Sequence, residues 1–166
     1  MRPLEEILAD KILGLAQYVL SKIITPDITI DKVGELDVEK IEKMKQKYGI
    51  EGIIIDVDQT LRREMGNIPK CNQDWIESLK GKIKIIILSN GMDKKIEQYF
   101  RERGIDYIGF ALKPFKQNFE KACEKMNVSP DKVLMVGDSL VADIHGGKRM
   151  GMKTAWVRGV EENEER

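Results

Sequence analysis

The stretch Ile53-Ile54-Ile55-Asp56-Val57-Asp58-Gln59-Thr60 decides how this chain folds. An unbroken run of isoleucines reads as a strand buried inside a sheet. The run stops at two carboxylates and a hydroxyl, so the strand delivers polar groups to its carboxyl end. Asp56 and Asp58 have one residue between them, and an extended backbone sets both on the same side. Acids that close repel, and one holds its proton longer than the other. One is then suited to act as nucleophile or metal ligand, its neighbour as general acid and base. The bland alternative is a polar strand end whose Asp and Thr cap the next element. A D-x-D-x-T match arises by chance in roughly one chain of this length in forty, so the motif alone decides nothing.

The arrangement then repeats down the chain. Ile83 to Leu88, with Lys84 inside it, runs into Ser89-Asn90-Gly91. Ala111-Leu112-Lys113-Pro114 sets a lysine just ahead of a helical segment. Val133-Leu134-Met135-Val136 opens into Gly137-Asp138-Ser139-Leu140-Val141-Ala142-Asp143. At the carboxyl edge of a parallel sheet these segment ends converge on one crevice, where open α/β sheets bind ligands. Between them the pattern alternates. Helices are expected over residues 72–80, 93–103, 114–127 and 140–149, and strands over 50–56, 83–89, 106–110, 133–136 and 153–157. Trp75, Ile76 and Leu79 face inward on the first helix. Phe115, Phe119, Cys123 and Met126 face inward on the third. Such alternation implies a three-layer α/β sandwich around a mostly parallel central sheet.

This ordered set resembles the haloacid dehalogenase (HAD) superfamily of phosphohydrolases, with DVDQT as first motif, Ser89 as second, Lys113 as third and GDSLVAD as fourth. The resemblance runs from about Ile50 to Val157 and implies a Rossmann-like fold. Within the superfamily the chain is similar to the small capless YqeG-like branch, related to phosphatidylglycerophosphate phosphatases. Gln59 departs from the Asn or Gly often found at its position. The stretches from Asp58 to Ser89 and from Ser89 to Lys113 each hold barely a loop, a helix and a strand. No large cap domain fits in either.

The resemblance implies a Mg²⁺-dependent phosphomonoester hydrolase. Asp56 is then the nucleophile that forms an aspartyl-phosphate, and Asp58 the general acid and base. Mg²⁺ falls to the carboxylates of Asp56 and Asp138 and the main-chain carbonyl of Asp58, with Asp143 either in a supporting metal role or a helix-surface acid. Ser89, Asn90, Lys113 and Thr60 fall to the substrate phosphate, Thr60 more as support than as chemistry. Arg62 and Arg63 read equally as contacts for a substrate phosphate or head group and as a solvated turn. His145 reads as a solvated helix residue. A second enzyme reading is a phosphatidylglycerophosphate phosphatase at a membrane surface. A non-enzymatic alternative is a phosphoacceptor or phosphate-binding module of the receiver type. In such modules the phosphorylated Asp ends a middle strand, but here that strand ends in Ser89-Asn90, which argues against it.

At 166 residues the chain is expected to form one domain over residues 1–160, followed by a charged, disordered tail at 161–166. Twenty-eight basic and 28 acidic residues cancel, which excludes a basic nucleic-acid footprint. Cys71 and Cys123 read as reduced thiols of a cytoplasmic protein. Leu4, Leu8, Leu15, Val19 and Ile23 recur at helical spacing and define an amphipathic helix over about 4–24. Glu5, Glu6, Asp10, Lys11, Gln17 and Lys22 interrupt it, so it reads as neither a membrane span nor a secretion signal. Its stripe is expected to pack on its own domain or on a partner subunit. That leaves open a homo-oligomer, and a peripheral contact at the inner membrane face is the weaker reading because the polar face is mixed to acidic. The partner implied is a phosphorylated small molecule or lipid head group.

Overall fold

Parallel pairing joins every neighbouring pair of strands, and the order in which they pair fixes where a site can form. The computed structural model describes residues 2–63 and 65–161. In chain order the elements are α1 (Leu4–Ile23), β1 (Ile28–Ile30), α2 (Val38–Tyr48), β2 (Gly52–Ile55), α3 (Lys70–Leu79), β3 (Lys84–Leu88), α4 (Lys94–Glu102), β4 (Asp106–Ile108), α5 (Lys116–Met126), β5 (Val133–Gly137), α6 (Gly146–Arg149) and β6 (Lys153–Val157). The six-stranded sheet has the order β1-β6-β5-β2-β3-β4. From β2 the chain builds outward through β3 and β4, then returns to the other side of β2 as β5. That reversal opens a crevice at the carboxyl ends of β2 and its two neighbours.

Alternation along the central strand divides the core. Ile53, Ile55 and Val57 face α2, α3 and α4 through Ile41, Met44, Trp75, Ile76, Leu79, Ile96 and Phe100. Ile54 faces the other way and joins Ile86, Leu88, Met135, Phe119, Ala122 and Met126 beneath α5. With both faces covered, β2 is buried along its whole length, as an isoleucine run requires. The helices start and stop where local chemistry dictates. The Asp37 carboxylate accepts from the Lys40 N–H at 2.8 Å at the head of α2, and Gly49 at φ 68° closes it. Asp93 likewise accepts from the N–H groups of Lys95 and Ile96 at the head of α4.

A short strand, β1, and the 3₁₀ segment Val33–Glu35 precede the alternating elements that the sequence pattern singled out. Several sequence expectations need correction. The helix expected over 140–149 is instead a π-helical stretch, Leu140–His145, running into the short α6. Phe115 precedes α5 and is exposed, so it does not join the inward face. The largest difference is α1. None of its residues is buried, and Leu4, Leu8, Ile12, Leu15, Val19 and Ile23 all lie open on its surface. Of the two expected destinations for the stripe, its own domain or a partner subunit, the first does not bury it. Among the described residues no helix is long and apolar enough to cross a membrane. Of the charged tail, all but Glu161 lies outside the described residues.

Candidate active site

The strand register brings the polar groups level with one another. Ile55 pairs with Ile87 on one side and Val136 on the other, so Asp56 emerges beside Leu88 and Gly137. Its own N–H donates to the Val136 carbonyl at 3.0 Å, continuing the ladder one residue past the strand. Around this point Asp56, Asp58, Ser89, Asn90, Lys113, Asp138 and Asp143 line one concave site.

Lys113 lies at the closed end of the site. Its ammonium donates to Asp56 Oδ1 at 2.7 Å, to Asp143 Oδ1 at 2.6 Å and to the Leu88 carbonyl at 2.9 Å, which uses all three of its hydrogens. Burial alone would lower its proton affinity, but the carboxylates of Asp143 and Asp56 more than offset that and hold it above the ordinary lysine range. Asp143 is 1% exposed, so its reading as a helix-surface acid is wrong. It accepts from Lys113 through one oxygen and from the Ser139 N–H at 3.1 Å through the other. The π-helical geometry around it is visible in the Ser139 carbonyl, which accepts from Ile144, five residues on, at 3.1 Å.

Thr60, expected more as support than as chemistry, and Asn90, expected at the substrate phosphate, both have partners within the protein. Thr60 is fully buried and donates to Asp56 Oδ2 at 3.1 Å, with Asp138 Oδ1 at 3.5 Å. It has no surface to offer a substrate. The Asn90 amide accepts from the Lys113 N–H at 2.7 Å and donates to the Lys113 carbonyl at 3.3 Å. Both side chains therefore support the site: Thr60 orients carboxylates, and Asn90 clips the lysine's backbone onto the loop after β3. The Trp156 indole donates to the Asp138 carbonyl at 2.8 Å, tying the fourth motif to β6. His145 is exposed, as expected, and so is Arg63. Arg62 is neither solvated nor directed at the cleft; it is 5% exposed and paired with two acids.

Asp56, Asp138 and Asp143 each offer an oxygen within 4.8 Å of the others. With that much negative charge gathered around one ammonium, burial and then repulsion from Asp56 and Asp143 push the Asp138 carboxyl well above the usual range. Burial and Asp56 raise Asp143 as well, with Lys113 opposing them. Such a cluster of hard oxygens with unbalanced charge is what an oxygen-seeking dication relieves.

Comparison with known proteins agrees with this geometry. The chain is 30% identical over 141 residues to a probable phosphatase, YqeG, of Bacillus subtilis, and the match covers 84% of this chain and 80% of that one. The chain belongs to the HAD superfamily of phosphatases. The HAD-hydrolase-like family model matches residues 111–166. A glyceraldehyde 3-phosphate phosphatase of Pyrococcus furiosus is 38% identical over 64 residues, which is 39% of this chain and only 27% of that longer protein. Among solved structures, a HAD family enzyme from Bacteroides thetaiotaomicron, in complex with magnesium and inorganic phosphate, superposes with a TM-score of 0.56 at 14% identity over 69% of this chain and 97% of that one. At that identity the likeness speaks to the fold. Among the described residues the HAD phosphatase here has no large cap domain, because only α3 lies between β2 and β3, and only α4 between β3 and β4.

Sequence reading missed two features. One is Gly137: a Cβ there would meet Asp143 Oδ2 at 2.2 Å, so only glycine lets that carboxylate sit over the end of β5. The other is the pairing of Arg62 with Asp58 and Asp93, for which the sequence holds no signal because Asp93 lies 31 positions away.

Proposed function

We propose that this HAD phosphatase is a Mg²⁺-dependent phosphomonoester hydrolase working through an aspartyl-phosphate on Asp56. The contact of Lys113 with the Asp56 carboxylate, at the end of a cleft also lined by Asp58, Ser89 and Asp138, supports this most directly. An anionic nucleophile meeting an anionic phosphate needs cationic charge at that point. Asp56 attacks phosphorus, and the bond from phosphorus to the ester oxygen breaks as the new bond forms. Asp58 gives its proton to the departing oxygen. Asp58 then takes a proton from a water whose oxygen attacks the same phosphorus, breaking its bond to Asp56 and releasing inorganic phosphate. Lys113 balances charge on Asp56 and the phosphoryl group, and the Ser89 hydroxyl holds a phosphoryl oxygen.

The donor set fits Mg²⁺, since it consists of oxygens alone and carries more negative charge than Lys113 can balance. The carboxylates of Asp56 and Asp138 and the Asp58 carbonyl would hold the ion, with Asp143 acting through Lys113. Bound there, it supplies the charge neutralisation that lets carboxylate and phosphate approach. The magnesium and phosphate complex of the Bacteroides enzyme lends support by likeness of fold.

The test is turnover of 4-nitrophenyl phosphate with Mg²⁺ and with excess chelator, in wild type and in Asp56→Asn. Activity confined to wild type with Mg²⁺ is expected, with the variant's circular dichroism unchanged. Equal turnover in chelator or in the variant would sink the mechanism.

A second substrate reading, a phosphate monoester carried by a lipid head group, is favoured by the exposed apolar stripe of α1 beside an uncapped site. Turnover of a phosphatidyl phosphate in vesicles, compared with soluble esters, separates the two.

A further inference from the structure

Arg62 lies outside the four motifs, yet it is the most confined arginine near the cleft. Its Nε donates to Asp58 Oδ1 at 2.9 Å, and its Nη1 donates to Asp93 Oδ2 at 2.9 Å and to the Gly66 carbonyl at 3.2 Å. The backbone tightens the same loop: the Gln59 N–H donates to the Arg62 carbonyl at 2.7 Å, and the Leu61 N–H to the Val57 carbonyl at 2.8 Å. Asp93 is fixed in turn, because its other oxygen accepts from the Lys95 N–H at 2.9 Å at the head of α4. Its N–H donates to the Tyr107 hydroxyl at 3.3 Å. A continuous set of contacts thus runs from Asp58 through Arg62 and Asp93 to Tyr107.

The way Asp58 is held is specific. Only Oδ1 is engaged, while Oδ2 takes no hydrogen bond among the described residues and lies on the side of Gly91, whose built Cβ would come 3.7 Å from it. A bidentate arginine would occupy both oxygens. Here the second arm of the fork is diverted to Asp93 and Gly66. We propose that Arg62 is a positioning residue that anchors Asp58 by one oxygen, leaving the other aimed into the cleft for proton transfer to the leaving group, and that Asp93 keeps the guanidinium from closing on both oxygens. This rests on the phosphatase reading, with Asp58 as proton donor. A lysine in place of Arg62 has no planar fork with which to serve two acids and a carbonyl together.

The test compares kcat and KM for glycerol 2-phosphate, whose alkoxide needs a proton to leave, with those for 4-nitrophenyl phosphate, whose phenolate departs nearly unaided. In Arg62→Ala, kcat for the alkyl ester is expected to fall about tenfold more than kcat for the aryl ester, with KM little changed. Arg62→Lys should recover only part of the loss. Asp93→Asn keeps a good helix cap and removes the second anchor, so it should shift the ratio the same way by less. It carries the test alone should Arg62→Ala fail to fold. A rise in KM for both esters at constant kcat would make Arg62 a substrate contact and overturn the proposal. So would an unaltered alkyl-to-aryl ratio in the folded variants. A wild-type chain inactive on both esters would overturn the phosphatase reading and this proposal with it, whereas an active wild type with unaltered ratios sinks the role of Arg62 alone.

Discussion

Gly137 shows how little room the site leaves at the scale of one residue. Its missing side chain is the space that the Asp143 carboxylate fills, and Asp143 is pinned there by Lys113 and by the Ser139 N–H. A methyl group at 137 cannot be accommodated by swinging that carboxylate aside without breaking a buried ion pair. Gly137→Ala is therefore expected to cost about 1–3 kcal/mol of stability through overpacking. It should also lower turnover about a hundredfold, since Lys113 loses its second anchor and a displacement near 1 Å is enough for that. Urea melts and aryl phosphate kinetics on one sample measure both. A variant with wild-type turnover would mean that Asp143 does not fix Lys113.

The same scale separates what the sequence disclosed from what it could not. Asp56, Asp58, Ser89, Lys113 and Asp138 were legible because each ends or follows an apolar run, and strand ends in a parallel sheet meet. Gln59 was flagged only as a departure, and its φ of 61° gives the reason: the position uses left-handed backbone that Asn and Gly adopt at less cost. Thr60 was read as support more than chemistry, in keeping with its bond to Asp56, whereas the clip that Asn90 makes on Lys113 was not foreseen. A residue type reveals that a polar group is needed, not whether protein or ligand satisfies it. Arg62 was unreadable for a different reason, since its pairing depends on α4 being folded back beside the loop.

Among the elements, β2, β3, β5 and β6 followed from apolar patterning, and α3 to α5 from their alternation with those strands. The segment after β5 failed as a plain helix because the Ser139 carbonyl accepts from residues four and five positions on, which hydrophobic spacing cannot foretell. For α1 the period was read correctly, and of its two expected destinations the chain's own core is not the one taken. Spacing gives the width of an apolar stripe and says nothing about what covers it. Because α1 contributes no buried residue, a chain starting at Pro26 is expected to keep its fold, its turnover of soluble esters within about twofold, and its stability within about 1 kcal/mol. Calorimetry and kinetics on the shortened chain check this. If the lipid-borne substrate is the true one, the full chain should sediment with vesicles and the shortened chain should not. A collapse of the melting transition on truncation would mean that α1 supports the core after all.

For the molecule as a whole, the buried acids are expected to make stability respond to cations. The cluster of Asp56, Asp138 and Asp143 around Lys113 repels itself when no dication is bound. A ligand that binds only the folded state adds about 2.7 kcal/mol at a hundred times its dissociation constant. For a chain of this size that is about 5–10 °C in melting temperature. Saturating Mg²⁺ is therefore expected to raise the transition by that much over chelator, and Asp138→Asn to melt higher than wild type in chelator while losing the Mg²⁺ response. An equal Mg²⁺ shift in the variant would place the ion elsewhere.

The strand order also bears on how the chain is made. Of the six strands of this sheet β1 is made first, yet among the described residues it pairs only with β6, which is made last of the six. The isoleucine-rich β2 can pair with β3 early, but its other edge stays open until β5 arrives. For that interval an apolar strand edge is free to pair with a neighbouring nascent chain. Premature stop codons before Lys153 should thus yield insoluble protein, not a smaller active one. β6 completes this sheet and ends its exposure to aggregation in one step.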